Sequence, residues 1–107
     1  MSCSKAKKPM SDMLARLEAL IRERKLQPKP GSYTNQLFEG GLTKIAQKVG
    51  EEATEVVVAA LRQGPAEQTG ELADLFYHTL VLMAQLDISL NDVLAELERR
   101  HKPDQPE

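Results

Sequence analysis

The chain reads as an all-α domain, and three features of its sequence say so. Apolar residues recur at spacings of three and four along most of its length, the stripe that a helix buries. No segment alternates apolar and polar residues in the manner of a half-buried strand. Proline and glycine gather at Pro28–Gly31 and Gly64–Pro65 and cut the sequence into helix-length pieces. At 107 residues it suits one domain. The expected organisation is a flexible tail over 1–9, a single domain of four to five helices over 10–101, and a second flexible tail over 102–107.

The first helix is expected after Pro9, with Ser11 as its N-cap and Met13, Leu14, Leu17, Leu20 and Ile21 on one face. Arg22 to Lys25 supply the positive charge that a helix C-terminus favours. Ser32-Tyr33-Thr34 opens a second helical stretch, interrupted near Gly40-Gly41. From Leu42 to about Arg62 the helical period is clearest, with Leu42, Ile45, Ala46, Val49, Ala53, Val56, Val57 and Ala60 predicted as its apolar side. Lys44, Lys48, Glu51, Glu52 and Glu55 are predicted on the opposite side. Gly64 stops this helix, and Pro65 suits the first position of the next.

The third helix is expected over about 65–86, weakened in its first half by Gly70. Its polar stripe is Glu67, Glu71, Asp74 and His78, while Leu75–Ala84 is apolar nearly all round and so predicts burial on every side. A fourth helix begins after Ser89, with Asp92 at N3, and is predicted to bury Val93, Leu94 and Leu97. Four short helices cannot cover all of Leu75–Ala84, so a homodimer or larger even oligomer with a joint helical bundle is expected.

Composition narrows the function. A net charge of −2 with mixed signs, no tryptophan and 4% aromatic residues argues against nucleic acid as partner. No apolar run reaches membrane-spanning length, and the start lacks the apolar core of a signal peptide. Cys3 is the sole cysteine, so no internal disulfide forms. Cytoplasm is the expected location.

The residues that carry chemistry are two carboxylate pairs, Glu52-x-x-Glu55 and Glu71-x-x-Asp74. Residues three apart share a helix face, and a short turn makes the two helices antiparallel neighbours. Four carboxylates then converge, and unit charges about 6 Å apart repel by roughly 2–3 kcal/mol per pair at an effective dielectric near 20. An oxygen-only ligand set suits Mg²⁺, with Mn²⁺ as the alternative, and points to a polyphosphate ligand. Lys44 and Lys48 extend the stripe as phosphate-binding cations, although ion pairs with Glu51 and Glu52 would account for Lys48 equally well. Ser32, Tyr33 and Thr34 read as contacts to ligand phosphate or ribose, with helix capping as the plainer role for Ser32 or Thr34. His78, four residues after Asp74, is either a hydrogen-bonded neighbour of a metal ligand or a satisfied core histidine.

These residues carry a resemblance. Glu51-Glu52-x-x-Glu55 with Glu71-x-x-Asp74 resembles the metal signature of the all-α nucleoside-triphosphate pyrophosphatases. Ser32-Tyr33-Thr34-x-x-Leu37, Gly41, Lys48-Val49-Gly50-Glu51-Glu52-Ala53 and Ala73-Asp74-Leu75-x-Tyr77-His78 are similar, more narrowly, to the phosphoribosyl-ATP pyrophosphatases of histidine biosynthesis. Asp92-Val93-Leu94-x-x-Leu97-x-x-Arg100-His101 fits as well, and the likeness covers about residues 12–101. It implies magnesium-dependent hydrolysis of phosphoribosyl-ATP to phosphoribosyl-AMP and pyrophosphate. The implied roles are metal binding for Glu52, Glu55, Glu71 and Asp74, and orientation of the attacking water for Glu51 or a metal ligand. Two rival readings stand beside it. One is a house-cleaning pyrophosphatase of the same superfamily, which has no use for the Ser32-Tyr33-Thr34 segment. The other is a non-enzymatic helical dimerisation module with a solvated acidic stripe.

Overall fold

The structure, a computed structural model, describes residues 12–102. It holds four helices: α1 (Met13–Leu26), α2 (Tyr33–Arg62), α3 (Pro65–Leu86) and α4 (Leu90–Arg100). No strand occurs among the described residues, as the sequence pattern predicts. The tail over 1–9, the expected cap Ser11, Met10, Cys3 and residues 103–107 lie outside the described residues.

Local chemistry sets the helix ends. Asn35 is buried and braces the connection between α1 and α2: its Oδ1 accepts from the Lys29 N–H at 2.6 Å and its Nδ2 donates to the Arg24 carbonyl at 2.8 Å. Ser32 caps α2 by accepting from the Asn35 N–H at 3.4 Å. Within α2, Gly41 adopts φ 84° and ψ 178° and breaks the helix. That backbone region is open essentially to glycine alone. It explains why the sequence reads as four to five helices.

The Gln63–Gly64 turn reverses the chain so that α3 packs along α2. Gln68 Nε2 donates to the Ala59 and Gln63 carbonyls at 3.2 and 2.9 Å, covering the end of α2. Pro65 occupies the start of α3, and Thr69-Gly70 passes through as helix. Ser89 and Asp92 form a reciprocal capping box on α4, with both bonds at 3.0 Å.

The core is Ile21, Leu37, Ile45, Leu80, Val81 and Ala84, flanked by Leu17, Phe38, Tyr77 and Met83. Fully burying a side chain such as Ile21, Ile45 or Val81 contributes about 1.5–3 kcal/mol before entropy. Lys25 Nζ donates to the Ala84 carbonyl at 2.9 Å and Arg22 to the Ile88 carbonyl at 3.1 Å, which ties the end of α1 to the end of α3.

Two expectations about burial need correction. The buried line of α2 is Ile45, Glu52 and Ala59, residues seven apart, so Glu52 stands on the packed side and not among solvated charges. Leu42, Ala46, Val57 and Ala60 are exposed instead. Next, Val93, Leu94 and Leu97 are not buried, and α4 buries no residue within this chain. Phe76 on α3 also remains 52% exposed between half-buried Leu75 and Tyr77, as expected of an apolar stretch that four helices of one chain cannot cover. The physical reason is common to both corrections. A helical period reports that a face is apolar, but not which neighbour covers it.

Candidate active site

Glu52 and Glu55 sit one turn apart on α2, and Glu71 faces them from α3. One carboxylate oxygen from each of the three lies within 4.8 Å of the other two. Glu52 is buried, Glu71 half-buried and Glu55 exposed, so the cluster opens to solvent at one side. Asp74 is exposed one turn further along α3 and stands outside that triangle. Its charge is still felt there. Partial burial pushes the Glu71 carboxyl above its ordinary value, with further upward contributions from a hydrogen bond with Glu55 and from the charges of Glu55, Asp74 and Glu52.

Two oxygens in the cluster are orphans. Glu52 Oε1 and Glu71 Oε1 are buried and have no hydrogen-bond partner. An unpaired buried carboxylate oxygen is costly. A hard divalent cation among them would satisfy both oxygens and cancel the repulsion, and the all-oxygen donor set fits Mg²⁺ or Mn²⁺.

Lys48 lies against this cluster. Its Nζ is 3.5 Å from Glu52 Oε2 and 3.6 Å from Glu51 Oε1. Burial works to lower the Lys48 ammonium, but Tyr33, Glu52 and Glu51 outweigh it and hold the group above its ordinary value. Glu51 is exposed and also accepts from Gln47 Nε2 at 3.0 Å. Lys44, Lys48, Tyr33 and Glu51 line a cavity of about 650 Å³ that spans the Gly41 break.

The hydroxyl segment is built into the same wall. Ser32 is engaged as the α2 cap, and Thr34 Oγ1 bonds the Tyr77 hydroxyl. The Tyr33 hydroxyl bonds His78 Nε2 at 2.9 Å, and its ring stacks on Tyr77 with centroids 6.2 Å apart. His78 is buried, and its Nδ1 meets the Asp74 backbone carbonyl at 2.7 Å rather than the Asp74 carboxylate. The segment and the acidic helices therefore form one surface.

A family model described as phosphoribosyl-ATP pyrophosphohydrolase matches residues 14–101. The chain belongs to this family. It is 57% identical over 88 residues to the phosphoribosyl-ATP pyrophosphatase of Listeria welshimeri, an overlap covering 82% of this chain and 84% of that protein. It is 54% identical over 87 residues to the phosphoribosyl-ATP pyrophosphatase of Pyrobaculum aerophilum, covering 81% of this chain and 93% of that one. It is 50% identical over 91 residues to a histidine biosynthesis bifunctional protein of Caldanaerobacter subterraneus, covering 85% of this chain and 44% of that protein. The chain thus spans less than half the length of the bifunctional relatives it matches.

The site brings Glu52, Glu55 and Glu71 together, with Lys48 and Glu51 alongside and Tyr33 and Lys44 on the cavity wall. Gln36, Glu39 and Gln47 also line that cavity. Spacing signals two of them, because Tyr33, Gln36, Gly40, Lys44, Gln47 and Glu51 follow one another at three and four residues. Glu39 falls outside that series.

Proposed function

We propose that this chain hydrolyses phosphoribosyl-ATP between its α and β phosphates, giving phosphoribosyl-AMP and pyrophosphate, in a magnesium-dependent reaction of histidine biosynthesis in the cytoplasm. The observation that carries the reading is the triangle of Glu52, Glu55 and Glu71 with its two orphaned buried oxygens, beside a lysine-lined cavity. Phosphoryl chemistry asks for positioning and charge neutralisation more than for covalent help.

Glu52, Glu55 and Glu71 would hold the ion, with Asp74 adding charge from the next turn. When bound, Mg²⁺ neutralises phosphate charge and polarises the scissile anhydride. Lys48 and Lys44 meet phosphate oxygens along the cavity wall, Lys48 from its place between Glu51 and Glu52. Glu51 is exposed on that wall and accepts a proton from the attacking water as general base. The Ser32-Tyr33-Thr34 segment is assigned to the sugar end of the ligand through Tyr33, which lines the cavity, while the Ser32 and Thr34 hydroxyls are engaged by the α2 cap and by Tyr77 and hold the segment in place. Groups that read this end distinguish phosphoribosyl-ATP from ATP, since every triphosphate shares the phosphate contacts.

The working unit we propose is a homodimer or larger even oligomer. Leu42, Val57, Val58, Leu61, Phe76 and Leu97 are large apolar side chains left exposed on one chain. A second copy would cover them.

Pyrophosphate release from phosphoribosyl-ATP, measured against a panel of ordinary and modified nucleoside triphosphates with and without Mg²⁺, tests the reading. Magnesium-dependent release with strong preference for phosphoribosyl-ATP is expected. Equal kcat/KM for ATP and phosphoribosyl-ATP would replace it with the house-cleaning alternative.

A further inference from the structure

The hydrogen bonds around His78 fix the direction of a proton. Its Nδ1 lies 2.7 Å from the Asp74 backbone carbonyl, and a carbonyl oxygen only accepts. Nδ1 therefore carries the ring proton, and Nε2 of the neutral imidazole is left as an acceptor. Among the described residues the one hydrogen-bonding group at Nε2 is the Tyr33 hydroxyl, at 2.9 Å, so Tyr33 must donate to it. No carboxylate of the described residues bonds either nitrogen. Tyr33 and Tyr77 both meet the ring at a near-perpendicular angle, with centroids 5.8 and 5.0 Å away.

The consequence falls on Tyr33, which is 46% exposed and lines the cavity beside Lys48. With its only proton committed to His78, its oxygen meets a ligand as an acceptor. A phosphate oxygen carries no hydrogen to offer and would be repelled. A sugar hydroxyl can donate. We propose that His78 is a positioning residue that makes Tyr33 a reader of a ribose hydroxyl and a rejector of phosphate at that point of the cavity. This rests on the assignment of phosphoribosyl-ATP as substrate, and it states which part of that substrate Tyr33 touches. His78 acts through Tyr33 and touches no reacting atom.

The test compares phosphoribosyl-ATP with analogues that each lack one ribose hydroxyl, in the unmodified protein and in Tyr33→Phe, His78→Phe and His78→Gln. One neutral hydrogen bond at a half-exposed site changes affinity about fivefold to tenfold. The unmodified protein is expected to lose that factor in KM, with kcat kept, for one deoxy analogue. Tyr33→Phe should abolish the difference between that analogue and the parent. His78→Phe should reduce it with Tyr33 intact, and His78→Gln, whose carbonyl can accept the Tyr33 proton, should restore it. Inorganic pyrophosphate binding in the presence of Mg²⁺, followed by calorimetry, should be unchanged in Tyr33→Phe.

If every analogue behaves like the parent in the unmodified protein, or if His78→Phe and His78→Gln leave the difference untouched, the positioning role is wrong while the substrate assignment stands. Should phosphoribosyl-ATP itself not be hydrolysed, calorimetric binding of phosphoribosyl-ATP against the same deoxy analogues reads the Tyr33 dependence independently. A weaker tyrosine-dependent binding of one deoxy form supports the role, and equal binding of parent and analogues overturns it. Where His78→Phe fails to fold, His78→Ala takes its place: a deoxy difference reduced as in Tyr33→Phe supports the role, and an unchanged difference overturns it.

Discussion

At the scale of single residues, the site stores repulsion that a cation can relieve. Glu71 is the clearest case, because partial burial, a hydrogen bond with Glu55 and neighbouring carboxylates together raise its carboxyl above 4.5. Between the ordinary value and the raised one, the metal-free fold keeps a proton there longer than the unfolded chain does. The sign follows from linkage: this contribution is full below about the ordinary value of 4.5 and is lost as pH rises through the raised folded value. Thermal unfolding in chelator between pH 4 and 7 should show the loss, and Glu71→Gln should flatten that part of the profile. An identical profile in the variant would remove Glu71 as its source. Amide replacement of Glu52, Glu55, Glu71 or Asp74 keeps side-chain size and deletes a charge. Each is expected to cut turnover at least about a hundredfold, the scale of one lost electrostatic stabiliser. Helicity by circular dichroism should stay intact, and metal-free stability should hold or rise. Near-normal turnover in all four variants would dismiss the proposed metal site.

At the scale of elements, α2 is two helices joined at one residue. Gly41 sits at φ 84° and ψ 178°, and a Cβ built there meets nothing within 4 Å. The obstacle to a side chain is thus backbone strain and not crowding. Gly41→Ala should cost about 1–3 kcal/mol, or straighten α2 and move Tyr33 away from Lys48 across the cavity. Chemical denaturation reads the first outcome, and weakened substrate binding with chemistry retained at saturation reads the second. A variant as stable and as tight-binding as the parent would show that the break is dispensable. The break also positions the site, because the cavity takes Tyr33 from one side of it and Lys44 and Lys48 from the other.

At the scale of the whole molecule, large apolar side chains stay exposed on α2, α3 and α4, among them Leu42, Val57, Phe76 and Leu97. α4 has strongly segregated faces, with Leu94 and Leu97 on the apolar one, yet buries no residue. Leu61 is 76% exposed at the end of α2. Scattered apolar residues on a surface mean little, but a run along α2, α3 and α4 is what an interface presents. Sedimentation velocity at micromolar concentration should report a dimer or larger even oligomer whose thermal stability falls on dilution. A monomer at that concentration would withdraw the joint bundle.

Local sequence sets the helices and the spacing of the carboxylates. Helical period, the caps at Ser32 and Ser89, and the breaks at Gly41 and Gly64–Pro65 depend on contacts within a few residues, so they are written locally. The carboxylate pairs were legible for the same reason, since spacing along a helix fixes which side chains share a face. Tertiary structure alone decided which face is packed. Glu52 had looked solvated by period, yet it lies in line with Ile45 and Ala59 because α3 and its Glu71 lie opposite. It also decided that His78 serves Tyr33, a residue 45 positions away, and bonds the Asp74 carbonyl instead of its carboxylate. Such pairings depend on how helices pack around a shared core, and no short stretch of chain encodes that distance.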